Sequence, residues 1–244
     1  MKFYSIQRSL NLKVIGKYPQ VESVHNNCHV WDEPKFVQHV NFEKIDFEPI
    51  CSNAVLHKKS KQTDLIQCVS MGFSPKLLIS GKLKTILENN RKSGLQFFNS
   101  PIVQNNQLIN DYWLLNMYEF NNEYINFERS VAYYNKQAND YSFSYKKDKI
   151  LLDIKKLTEF MNYIEIAKPK AEVVSIEKLC LFDYIKDDFF ALKYVLGQMY
   201  FVSENLKKEI EDAGCTGIEF QPVELSFNEW LMPGGEREKI YGKA

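Results

Sequence analysis

Ile79-Ser80-Gly81-Lys82-Leu83-Lys84-Thr85-Ile86-Leu87-Glu88-Asn89-Asn90-Arg91-Lys92-Ser93-Gly94-Leu95-Gln96-Phe97 repeats later in the chain. The copy is Val202-Ser203-Glu204-Asn205-Leu206-Lys207-Lys208-Glu209-Ile210-Glu211-Asp212-Ala213-Gly214-Cys215-Thr216-Gly217-Ile218-Glu219-Phe220. The two align without a gap at a shift of 123 residues, and six of 19 positions are identical: Ser80/Ser203, Leu83/Leu206, Lys84/Lys207, Glu88/Glu211, Gly94/Gly217 and Phe97/Phe220. Chance gives on the order of one identity. Leu77-Leu78-Ile79 and Tyr200-Phe201-Val202 read as strands that stop at a serine, whose hydroxyl accepts from the first free amides of a helix. The helix is short, with one apolar stripe (Leu206, Ile210, Ala213). Gly214 suits the left-handed residue after a helix, and Gly217 the turn into the next strand. Pro222 closes that strand. Each unit is therefore a β-α-β element whose helix needs a sheet to cover it.

Outward from these units, the fold class is α+β: mixed sheets with short helices and two related units, around 77–98 and 200–221. Strand patterns precede the first unit at Lys2–Gln7, Lys13–Ile15, His29–Trp31, Lys35–Phe42 and Leu65–Ser70. Between the units lie strand patterns at Leu95–Phe97, Tyr112–Tyr118 and Tyr124–Phe127, then a polar linker at Asn135–Tyr141. A helical pattern runs from Leu152 to Ile164 and stops before Pro169. Short strands are expected at Val173–Val174, Leu179–Phe182 and Phe189–Leu192, and the last helix at Ser203–Ala213. Residues 1–244 form a single compact domain with two lobes at about 1–135 and 142–225, and 232–244 read as a loose tail.

With 31 Lys+Arg against 31 Asp+Glu, the chain has no net field to attract nucleic acid or an anionic membrane. Lys58-Lys59-Ser60-Lys61 reads as a solvated loop. The apolar stretch Phe189–Val202 is broken by Lys193 and Gln198 and is too short to span a bilayer. Five cysteines, odd in number and without Cys-x-x-Cys, point to a reducing compartment, and the start Met1–Arg8 lacks the apolar core of a signal peptide. A cytoplasmic protein is expected.

Several constellations combine residue types that can carry chemistry. His25, Cys28, His29, Asp32 and His39 combine metal-ligating types, but fit no standard zinc spacing. Ser175-x-x-Lys178 has a nucleophile-base spacing but sits between short strands, and Gly72-Phe73-Ser74 lacks the second glycine of a nucleophile elbow. Pro233-Gly234-Gly235 precedes no apolar helix, so no phosphate cradle is expected there. Asp187-Asp188 reads either as a turn or as an acidic edge for a basic partner, flanked by Tyr184 and Phe189. Those four residues are the candidate partner-binding set; no catalytic residue, metal or cofactor is assigned.

The second unit resembles the C-terminal signature of an immunity-protein family of bacterial polymorphic toxin systems. That signature is an apolar strand, Val-Ser, a Leu-Lys helix, then Ala-Gly-x-Thr-Gly and Phe-x-Pro. Here it stands as Phe201-Val202-Ser203-Glu204-Asn205-Leu206-Lys207 and Ala213-Gly214-Cys215-Thr216-Gly217-Ile218-Glu219-Phe220-Gln221-Pro222. Asp111–Asn116 and Ile125–Ser130 resemble the family's middle strands, where the family often has Asp in place of Asn126. The resemblance spans roughly residues 70–225; the first 70 or so match nothing. It implies a protein that neutralises a cognate toxin, often encoded by a neighbouring gene, by stoichiometric binding. The shared residues look structural: Ser80, Leu83, Gly94, Phe97, Ser203, Leu206, Gly214, Gly217, Phe220 and Pro222. Rival readings are an enzyme with its site between the two units and a small-molecule-binding module.

Overall fold

A computed structural model describes residues 1–136 and 149–243. The chain opens with β1 (Phe3–Arg8), the one-turn helix α1 (Leu12–Ile15), β2 (Val21–His25), β3 (Asn53–Leu56) and β4 (Leu65–Ile66). The first unit follows as β5 (Leu77–Ser80), α2 (Gly81–Asn90) and β6 (Leu95–Asn99). A hairpin of β7 (Ile102–Gln104) and β8 (Gln107–Ile109) leads to β9 (Tyr112–Met117), β10 (Val131–Asn135), β11 (Lys149–Leu152), α3 (Leu157–Ala167) and β12 (Val173–Lys178). Then come β13 (Phe189–Ala191) and the second unit, β14 (Tyr200–Ser203), α4 (Glu204–Asp212) and β15 (Ile218–Pro222), with α5 (Phe227–Leu231) and α6 (Glu236–Tyr241) at the end. The class is α+β, and both units are present. No helix among the described residues is long and apolar enough to cross a membrane.

Each unit is a split β-α-β. The sheets run β4-β5-β9-β6 and β13-β14-β1-β15, antiparallel throughout, so a third strand separates the two that flank each helix. The registers agree residue for residue. Ser80 faces Tyr112 as Ser203 faces Phe3, Ile79 faces Trp113 as Val202 faces Tyr4, and Phe97 faces Leu115 as Phe220 faces Ile6.

The identities between units are explained by the same contacts in both. Ser80 Oγ accepts from Leu83 N at 3.3 Å, and Ser203 Oγ from Leu206 N at 3.1 Å. Each hydroxyl donates in turn to an aspartate one strand away, Asp64 or Asp188. Lys84 pairs with Glu88 at 2.9 Å and Lys207 with Glu211 at 2.8 Å, one helical turn apart. Gly94 and Gly217 stand at φ 81° and 83°, and their carbonyls accept from Tyr118 N and Ser9 N, both at 2.9 Å.

The two sheets meet across a central core of Ile79, Leu83, Leu115, Val202, Leu206 and Phe220. Their outer faces are covered too. Leu78, Phe98 and Leu114 pack under β2, β3 and the Phe36–Val40 segment, while Phe3, Phe190 and Phe201 pack against β10, β12 and α3. Burial on both faces explains why β5 and β14 are continuous apolar runs rather than alternating ones.

Several expectations need correction. Lys13–Ile15 is helical because the Asn11 side chain caps it, accepting from Lys13 N. Lys35–Phe42 holds a 3-10 turn at Val37–Val40, and His29–Trp31 is a turn closed on the His29 carbonyl. Tyr124–Phe127 and Leu179–Phe182 share one bridge, Ile125 with Leu181, and form no strand. In Lys35–Phe42, Tyr124–Phe127 and Leu179–Phe182, apolar residues tuck into a core without a neighbouring strand to complete a ladder, whereas Trp31 stays exposed. Leu152 ends β11, and α3 starts five residues later, where Glu159 accepts from Lys155 N at 2.8 Å. Residues 137–141 of the expected linker lie outside the described residues.

The tail is not loose. Arg237 on α6 is buried against Glu219 on β15, with Nε–Oε2 2.7 Å and Nη2–Oε1 2.8 Å. Ser9 Oγ and Leu10 N also donate to Glu219 Oε1, each at 3.0 Å. Trp230 is 1% exposed and packs edge-on against Tyr241, whose hydroxyl accepts from Phe220 N.

Candidate partner-binding surface

The segment between β12 and β13 bends over the turn that follows β9, and this crossing separates the four candidate residues. Tyr184 is 61% exposed, with its ring stacked on Phe182 at 5.1 Å and 19°. Its hydroxyl donates to the Glu123 carbonyl at 3.2 Å, fixing the ring against the turn. Asp187 is exposed, and its Oδ2 accepts from Tyr124 Oη at 2.7 Å. Burial, followed by that bond to a carboxylate, pushes the Tyr124 hydroxyl up to about 12.

Asp188 and Phe189 belong elsewhere. The Asp188 carboxylate accepts from Ser203 Oγ, and its carbonyl accepts from Ser203 N at 2.9 Å. It therefore braces the cap of α4. Phe189 opens β13, is 1% exposed and lies in the central core. Adjacent residues entering a strand face opposite ways, which is why the acidic edge keeps one of its two aspartates.

Glu123 and Asp183 are exposed around the stacked rings, with Lys186 as the cation of the segment. A second aromatic group adjoins through Asn122, whose Oδ1 accepts from Lys193 N at 2.8 Å. The Lys193 ammonium sits 4.7 Å from the Phe42 ring centre and 4.3 Å from that of Phe120, and the two rings meet edge-on at 5.3 Å. Partial burial lowers the Lys193 pKa. Phe42 takes φ 66°, a left-handed value that a bulky residue adopts only when its surroundings hold it there. Nothing in the spacing of Phe42, Phe120 and Lys193 announced this group, because three distant segments contribute to it.

The remaining candidates are scattered. His29 Nδ1 lies 2.7 Å from Asp32 Oδ2 in an exposed pair, while His39 turns edge-on to Phe36. Among the described residues, no three His, Cys, Asp or Glu side chains are grouped so as to hold a metal ion. Ser175 and Lys178 both lie on β12, where a separation of three puts them on opposite faces; Lys178 reaches Glu229 at 3.6 Å. Gly234 N donates to Glu238 Oε2 in the turn before α6. Lys61 Nζ donates to the Lys13 carbonyl, tying the basic loop to α1. The space between the two units is filled by the central core. A cavity of about 280 Å³ lies instead between β11 and α3, walled by Tyr134, Leu151, Leu152, Tyr163 and Ile166.

Lys76 is a buried cation that the sequence did not single out. It is 2% exposed, and its Nζ donates to the Val37 carbonyl at 3.1 Å and to Asn41 Oδ1. Burial lowers its pKa to about 8. One lysine before an apolar run carries no signal of burial. Only the packing of the Val37–Asn41 segment over β5 encloses it.

Comparison with known proteins finds no family model and no curated protein that matches this chain.

Proposed function

We propose that this chain is an immunity protein that neutralises a cognate bacterial toxin by binding it stoichiometrically, without turnover or cofactor, in the cytoplasm. The observation that carries the proposal is the exposed Tyr184 ring, stacked on the half-buried Phe182 and framed by the exposed Glu123, Asp183 and Asp187. Rigid aromatic rings give contact area at low entropic cost, and surrounding carboxylates suit a basic partner surface. The resemblance of residues 201–222 to the immunity family supports the same reading. Binding there would cover the toxin's active site or its substrate path.

Co-expression with the product of the adjacent gene tests this directly. A one-to-one complex on gel filtration, with protection requiring one immunity molecule per toxin molecule, is the expected result. Protection at far lower ratios would mean turnover and favour the enzyme reading. Binding of a small molecule at the Tyr134–Tyr163 cavity, without any protein complex, would favour the small-molecule module.

A further inference from the structure

The repetition extends well beyond the aligned segment. From β1 the chain runs β1, β2, β3, β4, β5, α2, β6, with the one-turn helix α1 added between β1 and β2; from β9 it runs β9, β10, β12, β13, β14, α4, β15, with β11 and α3 added between β10 and β12. In each series the second and third strands pair antiparallel, and the pairing slips register at Val21 in one and Val131 in the other. In each series the fourth strand pairs with the fifth. The second and third strands also cover the outer face of their own series' sheet. Ala54 and Leu56 pack with Leu78 and Phe98, and Ala132 and Ile176 with Phe190 and Phe201.

Only the first strands depart from this scheme. β1 lies between β14 and β15, and β9 lies between β5 and β6, in matching registers. We infer that the chain is a tandem duplication of one unit, residues 3–99 and 112–222, whose copies exchange their first strands. Each half supplies the central strand of the other half's sheet. A strand in that position is bonded along both edges, so neither sheet closes without the other half.

The exchange also explains which helix residues persist in both copies. Lys84 Nζ sits 5.1 Å from the Phe97 ring and 4.9 Å from that of Trp113; Lys207 Nζ sits 5.5 Å from Phe220 and 5.3 Å from Tyr4. Trp113 and Tyr4 occupy the same register position on the two exchanged strands. In each half, the helix lysine, held by its Glu one turn on, therefore clamps an aromatic residue donated by the other half. Exchange of an element between identical units is a low-cost route to a two-copy assembly, and fusion of the copies makes it intramolecular.

Hydrogen exchange on the full-length chain tests the inference through two variants. Tyr4→Ala should speed exchange at least tenfold in residues 200–222 relative to 77–99, and Trp113→Ala should do the reverse. Each variant acting on its own series instead would overturn the exchange. A second measurement does not depend on either variant folding. The Asn105–Asn106 turn joins β7 to β8 with φ 52° and 61° and can carry an inserted protease site. Cut there in the folded state, the chain should run as one particle of full mass with slow amides in both sheets. Two separating fragments that each keep their slow amides would overturn the inference.

Discussion

A Cβ at Gly217 would stand 2.4 Å from the Leu65 carbonyl oxygen and 2.6 Å from Thr63, on a backbone at φ +83°. Gly214 also has a left-handed φ, +66°, but nothing within 4 Å. The two glycines therefore separate conformational strain from close approach. Gly214→Ala should cost about 1 kcal/mol of stability. Gly217→Val should cost roughly 3 kcal/mol or more, because the clash with backbone adds to strain. Equal denaturation midpoints for the two variants would contradict this. Lys76 makes a second test at the same scale. Its folded pKa of about 8 lies below the ordinary lysine value of 10.5, so between those values the unfolded chain binds more protons. Stability therefore rises with pH across that window, and the full burden of the charged form is carried below pH 8. Buried thiols and tyrosines act oppositely in alkali: Cys51 is pushed up to about 12 and Tyr200 is raised, both by burial. The difference between wild type and Lys76→Met cancels those groups. It should move in favour of wild type by roughly 3 kcal/mol from pH 8 to 10.5. A pH-independent difference in urea titrations would show that Lys76 keeps its ordinary pKa in the folded protein.

Among the elements, α6 shows how far a segment can depart from its sequence pattern. Glu236-Arg237-Glu238-Lys239 looks like a solvated tail, yet Arg237 is 3% exposed and fork-paired with Glu219. Arg237→Met should destabilise by about 3–5 kcal/mol, since it strands a buried carboxylate. Arg237→Met with Glu219→Gln should recover much of that loss. If the double variant is no better than the single one, the cost lies in the packing of α6 and not in the charge. The elements α2 and α4 were legible because their determinants are local: a serine cap, an apolar stripe and a glycine exit within about fifteen residues. Lys13–Ile15 and Lys35–Phe42 were misread for the complementary reason. Short apolar alternation signals burial on one side, but a strand also needs a partner, and that partner is remote in sequence.

The whole molecule decides which side chains reach a partner. On the proposed function, Tyr184→Ala and Asp187→Lys should each weaken toxin binding at least tenfold by calorimetry while leaving the melting temperature nearly unchanged, as both side chains are exposed. Changing Asp188 should act mainly on stability, since its carboxylate braces Ser203. A loss of affinity from Asp188→Asn equal to that from Asp187→Lys, at unchanged stability, would argue against this division. His29→Ala, His39→Ala and Ser175→Ala should leave neutralisation intact. Full loss of protection from any one of them, in a folded protein, would point to catalysis.

What the sequence alone determined was the repeated strand-helix-strand, its caps, its glycine turns and the α+β class. All of these rest on bonds and burial within a single turn or strand. The same physics read Tyr184 and Asp187 as a candidate surface but could not separate them from Asp188 and Phe189. That distinction depends on where the segment crosses Tyr124 and where β13 begins. Tertiary structure alone decided that β1 enters the second sheet and β9 the first. The apolar pattern of Lys2–Gln7 and Tyr112–Tyr118 is satisfied equally by either sheet, since both offer the same register and the same lysine over an aromatic ring. A strand's partner is chosen by ladders and cores that exist only once the rest of the chain has folded.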